Sequence, residues 1–187
     1  MNKSEARRVA RQRLRSADPS RLQDAAQEIA EHLWTVPEIS GAGTILLYAA
    51  LPREVPTGEI AVRARESGME VVYPRCIDAV RLSLHRVGQE SSLRDDGRFG
   101  IPEPGPECPV VSAEEIDAAL IPGLAWSRGG HRLGRGAGYF DRLLSSPGWR
   151  GFRCGVFLSL QEMPDLPLDH WDVPLDAIVT ERGVIRI

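Results

Sequence analysis

Cysteine is scarce in this chain. Cys76, Cys108 and Cys154 are the three among 187 residues, odd in number and in no C-x-x-C pair. Neither a disulfide framework nor a zinc site is expected from them, and a reducing cytoplasm is the simplest setting. Excess positive charge is missing too. Lys and Arg total 23 against 26 Asp and Glu, a net charge of −3, which excludes a generally basic nucleic-acid binder though not a local basic patch. No segment approaches the ~20 apolar residues of a membrane span, and the first residues lack the apolar run of a signal peptide. A cytoplasmic monomer with no membrane and no nucleic-acid partner is expected. The four histidines show no metal-ligand spacing. There is no internal repeat, no Walker A motif, no Rossmann glycine fingerprint, and no Ser-His-Asp or Cys-His set.

What is present fits one domain over residues 1–187, long enough to bury a core without metal or disulfide staples. Residues 3–15 read as a basic helix, with Lys3, Arg7, Arg8, Arg11, Arg13 and Arg15 against Glu5. Asp18 and Pro19 read as the N-cap and first position of a second helix. Leu22, Ala25, Ala26, Ile29, Ala30 and Leu33 form its apolar stripe. Strands are expected at 43–50, 69–74, 118–125, 152–159, 176–181 and the final "GVIRI", with a half-exposed strand at 81–87. A helix ends near Gly68, Ser112 with Glu115 resembles a capping box, and 88–111 reads mainly as loop. Helices alternating with buried-type strands predict an α/β fold, three layers (α/β/α) around a mostly parallel central sheet.

The stretch "HRLGRGAGYFDRLL" (131–144) carries three glycines, Gly134, Gly136 and Gly138, between Arg132 and a helical start at Tyr139. Preceded by the strand "AALIP", it reads as a strand-to-helix connection on the side where open α/β sheets bind ligands. Glycines there let successive N–H groups form an anion nest, and the helix N-terminus adds roughly half a positive charge. Arg132 and Arg135 would supply more. Taken alone, a glycine-rich surface turn explains the pattern equally well.

The longer stretch "PGLAWSRGGHRLGRGAGYFDR" resembles the signature of the 5-formyltetrahydrofolate cyclo-ligase family, close to P-G-L-A-F-D-x-x-G-x-R-L-G-x-G-x-G-Y-Y-D. Further landmarks follow in order: Lys3 and Arg7 as K-x-x-x-R, "LPREVPT", "YPR" (73–75), "FGIPEP" (99–104) and "HWDVPLDAIVTE" (170–181). The resemblance covers nearly the whole chain. It implies a fold related to sugar-phosphate isomerase and CoA-transferase architectures. It also implies an ATP- and Mg²⁺-dependent ligase converting 5-formyltetrahydrofolate to 5,10-methenyltetrahydrofolate, ADP and phosphate.

Carried over by that resemblance, Lys3, Arg7 and the run Arg132, Leu133, Gly134, Arg135, Gly136, Ala137, Gly138, Tyr139 and Phe140 would bind ATP. Arg132 and Tyr139 would be catalytic. Arg7, Ala49, Glu54, Arg135, Gly136, Ala137, Gly138 and Tyr139 would contact the folate, with Glu54 accepting from pterin N–H groups. Asp141 and Asp172 would hold Mg²⁺, with Asp176 the rival for the second position. Each has a plainer alternative: a solvated basic helix for Lys3 and Arg7, a helix-start carboxylate for Asp141, a turn aspartate for Asp172. Arg11 is a weaker candidate on the same face, and Arg75 is left open. Trp126 and Phe140 offer apolar surface for pterin or adenine, or serve the core. His170 reads as structural or surface. The chain departs from the usual pattern at Trp126, Ser127, Ala137, Phe140 and Trp171. A paralogue acting on another N-formyl compound is therefore the alternative enzyme, and a nucleic-acid module using the basic helix the alternative class.

Overall fold

The computed structural model describes every residue except Pro19, Glu90, Ser91, Asp96, Arg98 and Phe99. In chain order the elements are α1 (Lys3–Ser16), α2 (Ser20–Trp34), α3 (Pro37–Ser40), β1 (Thr44–Leu46), α4 (Gly58–Glu66), β2 (Glu70–Cys76), β3 (Leu82–Arg86), β4 (Leu93–Arg94), β5 (Glu103–Pro104), β6 (Val110–Val111), β7 (Ala118–Ile121), β8 (Ala125–Trp126), β9 (Arg132–Leu133), α5 (Tyr139–Leu144), β10 (Phe152–Val156), β11 (Ala177–Thr180) and β12 (Gly183–Arg186). The central sheet has eight strands in the order β12-β11-β10-β7-β1-β2-β3-β6. The pairs from β11 through β10, β7 and β1 to β2 are parallel. The outer strands pair antiparallel: β12 on β11, β3 on β2 and the edge strand β6 on β3. Among the described residues no helix is long and apolar enough to cross a membrane.

The period of two along each strand divides the core. Ile45, Leu47, Val71, Tyr73, Ala118, Leu120, Cys154, Val156 and Val179 face one layer. There they meet Ala6, Ala10 and Leu14 of α1, Ile29 and Leu33 of α2, and Ile60 and Ala64 of α4. Leu46, Val72, Ala119, Ile121 and Ile178 face the other, covered by Leu144 of α5, Trp126, Trp149 and Phe157. The three expected layers are therefore present but unequal, with four helices on one face and α5 with loops on the other. α1 shows its small stripe to the sheet: Ala6 and Ala10 are almost fully buried, so the helix lies close. Its start is fixed by a reciprocal cap. The Glu5 amide donates to Asn2 Oδ1 at 2.9 Å, and the Asn2 amide to Glu5 Oε2 at 2.9 Å.

The sequence reading differs from the structure at identifiable places. The expected strand 43–50 is only Thr44–Leu46; Leu47 still donates to Val72 O, and the chain then leaves the sheet. Both Leu84 and His85 of β3 are buried, because the His85 ring finds Ser83 Oγ and Cys108 O at 2.8 Å each. The Ser112–Glu115 box starts a single 3-10 turn, Ala113–Glu115. Pro19 lies outside the described residues, but Asp18 Oδ1 accepts from the Ser20 amide at 2.9 Å, as a cap should. The "AALIP" strand does not run straight to the glycines. A two-residue antiparallel hairpin, β8 with β9, intervenes. Arg132 and Leu133 are thus strand residues, and the connection to α5 begins at Gly134.

Candidate functional site

Gly134 to Gly138 lie between β9 and the N-terminus of α5, beyond the C-terminal end of β7. None of their amides donates to a backbone carbonyl among the described residues. Gly136 has φ 120° and Gly138 φ 68°, the left-handed conformations that glycine adopts without a Cβ clash. Gly134 has no such φ and open space beside it. α1 supplies the wall. Arg7 Nε donates to Gly134 O at 3.0 Å, and a methyl group built on Gly136 would meet the Arg7 guanidinium carbon at 3.6 Å.

One turn back along α1, Lys3 Nζ lies 2.6 Å from Asp172 Oδ2 and 2.8 Å from Asp169 Oδ2. Burial opposes the charge on each partner. Even so, the two carboxylates hold the Lys3 ammonium above its ordinary value, and the Asp169 amide and Lys3 hold Asp172 below its own. Arg132 is buried. Its Nη1 donates to Val173 O at 2.7 Å and its Nη2 to Asp141 Oδ1 at 2.7 Å. Desolvation pulls this guanidinium below the usual arginine value, against the pull of Asp141. The Val173 amide, in the peptide that follows Asp172, also donates to Asp141 Oδ1 at 3.3 Å. Asp141 is thereby linked to Val173, the neighbour of Asp172, through the Val173 amide and Arg132.

On the other side of the glycines, Arg135 Nη2 meets Glu54 Oε1 at 2.7 Å, and the Leu51 amide donates to Glu54 Oε2 at 2.9 Å. The preceding residue, Arg53, has φ 72°. That turn sends its guanidinium the opposite way, onto the carbonyls of Leu14 at 2.7 Å and Arg15 at 2.9 Å at the end of α1. Tyr139 Oη donates to Asp78 O at 2.6 Å, and Arg142 Nε to Val80 O at 2.6 Å. The β2–β3 turn is so tied to α5.

Of the residues expected in a site, Lys3, Arg7, Glu54, Arg135, Asp141, Asp172 and the glycines come together. Ala49 is half-buried against the helical face of the core, and Phe140 packs against both core faces. The Leu133 side chain is core, and Trp126 is 1% exposed with its N–H on Leu158 O at 3.1 Å; neither indole face is open. Asp176 is elsewhere. It forms a two-pronged pair with Arg153, at 2.9 and 2.5 Å, at the N-terminal edge of β11 and beside an open cavity of about 770 Å³.

The sequence model of the 5-formyltetrahydrofolate cyclo-ligase family matches residues 1–181. The chain belongs to the 5-formyltetrahydrofolate cyclo-ligase family. It is 28% identical over 180 residues to the 5-formyltetrahydrofolate cyclo-ligase of Escherichia coli, covering 93% of this chain and 97% of that one. It is 31% identical over 172 residues to a probable member from Schizosaccharomyces pombe, 84% of each chain. The solved 5,10-methenyltetrahydrofolate synthetase of Aquifex aeolicus superposes with TM-score 0.85 at 34% identity, over 100% of this chain and 93% of that one. The Mycoplasma pneumoniae synthetase, 23% identical over 97% and 99%, shares the fold with TM-score 0.78. As a member of the cyclo-ligase family the chain is an enzyme, a ligase.

Sequence reasoning missed several residues that shape this candidate site: Arg53, which precedes Glu54 and turns away from it, Arg142, which ties down the β2–β3 turn, and Asp169, the second carboxylate on Lys3. Asp169 had a signal, since "DHWD" spaces two aspartates across one turn. Arg53 had none, because nothing local announces a left-handed arginine.

Proposed function

We propose that the chain catalyses the ATP- and Mg²⁺-dependent closure of 5-formyltetrahydrofolate to 5,10-methenyltetrahydrofolate, releasing ADP and phosphate. The observation that carries this, beside family membership, is the docking of Arg7 of α1 on glycines whose amides reach no backbone carbonyl among the described residues, with Lys3 one turn away on Asp172 and Asp141 adjoining. A formyl amide is a poor electrophile because its nitrogen lone pair feeds the carbonyl. In the proposed sequence the formyl oxygen attacks the γ-phosphorus and ADP leaves. N10 then bonds to the formyl carbon and gives up its proton, and the C–O bond breaks with phosphate departing. No protein nucleophile is needed, so the chain's work is alignment and charge stabilisation.

In this reading the amides of 134–138, Arg7 and Lys3 hold the phosphates, Glu54 and Arg135 set the pteridine edge against the loop, and Tyr139 lines the junction. Ala49, Ala137 and Phe140 remain candidate contacts through backbone or apolar surface. Arg132, whose two Nη atoms are engaged, positions Asp141 while lending charge. Among the described residues no three His, Cys, Asp or Glu converge as a metal centre. Two carboxylates suit magnesium, which takes one or two and fills its shell with phosphate oxygens and water; Asp141 and Asp172 would hold it. Bound there, it would neutralise charge developing on the phosphoryl oxygens. Purified protein with 5-formyltetrahydrofolate and Mg-ATP should develop the methenyl absorbance. No ATP-dependent signal from protein that binds Mg-ATP would reject the substrate.

A further inference from the structure

Along α1 the proposed site has a direction. Its N-terminal end, at Lys3, grips Asp169 and Asp172. Its middle, at Arg7, touches Gly134 and Gly136. Its C-terminal end is capped by Arg53, whose neighbour Glu54 clasps Arg135. Lys3 and Arg7 are four residues apart, about 6 Å of helix axis. A nucleotide whose terminal phosphoryl points at the Glu54 end must extend its base toward the Lys3 end.

That end presents an indole. Trp171 is 58% exposed, whereas Trp126 and Trp149 are buried. Isolated exposed aromatics are common; what singles this one out is how it is held. Asp169–His170–Trp171–Asp172 is a turn closed by Asp172 N to Asp169 O at 3.1 Å and by Asp169 N to Asp172 Oδ2 at 2.8 Å. Both its end carboxylates are fastened to Lys3. Inside the turn the His170 ring stands edge-on to Trp171, centroids 4.5 Å apart. The indole is thus held beside the cation that begins the phosphate path. Among the described residues it belongs to neither face of the hydrophobic core.

We infer that Trp171 is the stacking platform for the nucleotide base. The inference rests on the phosphate-loop reading above and adds a base-recognition residue to it. Stacking on an aromatic face tolerates any base, so Mg-GTP should use the same platform as Mg-ATP.

Titration calorimetry on the full chain tests this with two probes, Mg-ATP and magnesium tripolyphosphate, which has the phosphates and no base. Trp171→Ala should weaken Mg-ATP roughly tenfold, the order of a single base stack, and leave tripolyphosphate unchanged. Trp171→Phe should keep most of the Mg-ATP affinity. Because the side chain is exposed, melting temperatures of both variants should match the parent. Equal Mg-ATP affinity in Trp171→Ala, or parallel loss of both probes, would overturn the stacking alone. Failure of the parent protein to bind tripolyphosphate would overturn the phosphate-loop reading and the stacking with it.

Discussion

Three glycines that look alike in the sequence are not alike in the structure, and alanine substitution should separate them. Gly136, at φ 120°, and Gly138, at φ 68°, hold conformations an L side chain rarely adopts; Gly134 does not, and a Cβ added there meets nothing within 4 Å. Holding a non-glycine residue in such a conformation costs about 1–3 kcal/mol. At Gly136 the added methyl makes ordinary contact with Arg7, so strain is the whole cost. At Gly138 it also lies 2.9 Å from Arg142 Nη1, a guanidinium held by Val80 O and Ala137 O, so relief there breaks a tie to the β2–β3 turn. For a chain of this size each kcal/mol moves the melting temperature by about 2–4 °C. Gly136→Ala and Gly138→Ala should therefore melt roughly 3–10 °C below the parent, and Gly134→Ala within about 2 °C of it. Scanning calorimetry without ligand reads the order directly. A Gly134→Ala protein as destabilised as Gly136→Ala would refute the assignment of strain.

Asp141→Ala should lose both turnover and stability, the latter by about 3–5 kcal/mol, because it leaves buried Arg132 without its carboxylate; Asp141→Asn, which keeps an acceptor for Arg132, should retain more of the fold in urea melts while still losing turnover. A native-like melt for Asp141→Ala would show that Arg132 does not depend on this pair. Of the three thiols, only half-exposed Cys76 should label with iodoacetamide at pH 8 in folded protein, since Cys154 is fully buried and burial pushes its thiol up to about 12; mass spectrometry of the labelled peptides decides, and modified Cys154 would contradict its burial. At Arg53, φ 72° predicts an inverted order: both Arg53→Ala and Arg53→Gly lose the cap on α1, but the glycine form should be the more stable by about 1 kcal/mol in denaturant titrations. Alanine equal to or better than glycine would remove the left-handed residue from the account.

Much of this was legible in one dimension. Buried strands announced the sheet, and the i, i+4 spacing of Lys3 and Arg7 placed both on one helical face. The glycine run marked where the chain would turn. What stayed hidden was set by distant partners. Glu54 and Arg135 are 81 residues apart, Lys3 and Asp172 169 apart, and no local pattern encodes either pair. The β8–β9 hairpin has two residues a side, too few for a period to show, which is why Arg132 and Leu133 read as loop. Trp126 was ambiguous for a different reason. An indole beside a site and an indole in a core look the same until its N–H finds an acceptor, here Leu158 O.

The charge pattern of the site bears on the proposed magnesium requirement. Lys3 faces Asp169 and Asp172, Arg132 faces Asp141, and Arg135 faces Glu54. Of these cations and Arg7, only Arg7 meets nothing but a neutral carbonyl among the described residues. A bare triphosphate entering such a site would gain the arginines and lysine only in competition with four carboxylates already holding three of them. At a few ångströms and an effective dielectric near 20, each opposing pair is worth about 4 kcal/mol, so attraction and repulsion nearly cancel. A divalent ion held by Asp141 and Asp172 would change that balance: it would offer both carboxylates a partner of higher charge than Lys3 and Arg132, leaving Lys3 available to the phosphates. The pairing that steadies the ligand-free site is thus also what would make it discriminate against nucleotide that arrives without its metal.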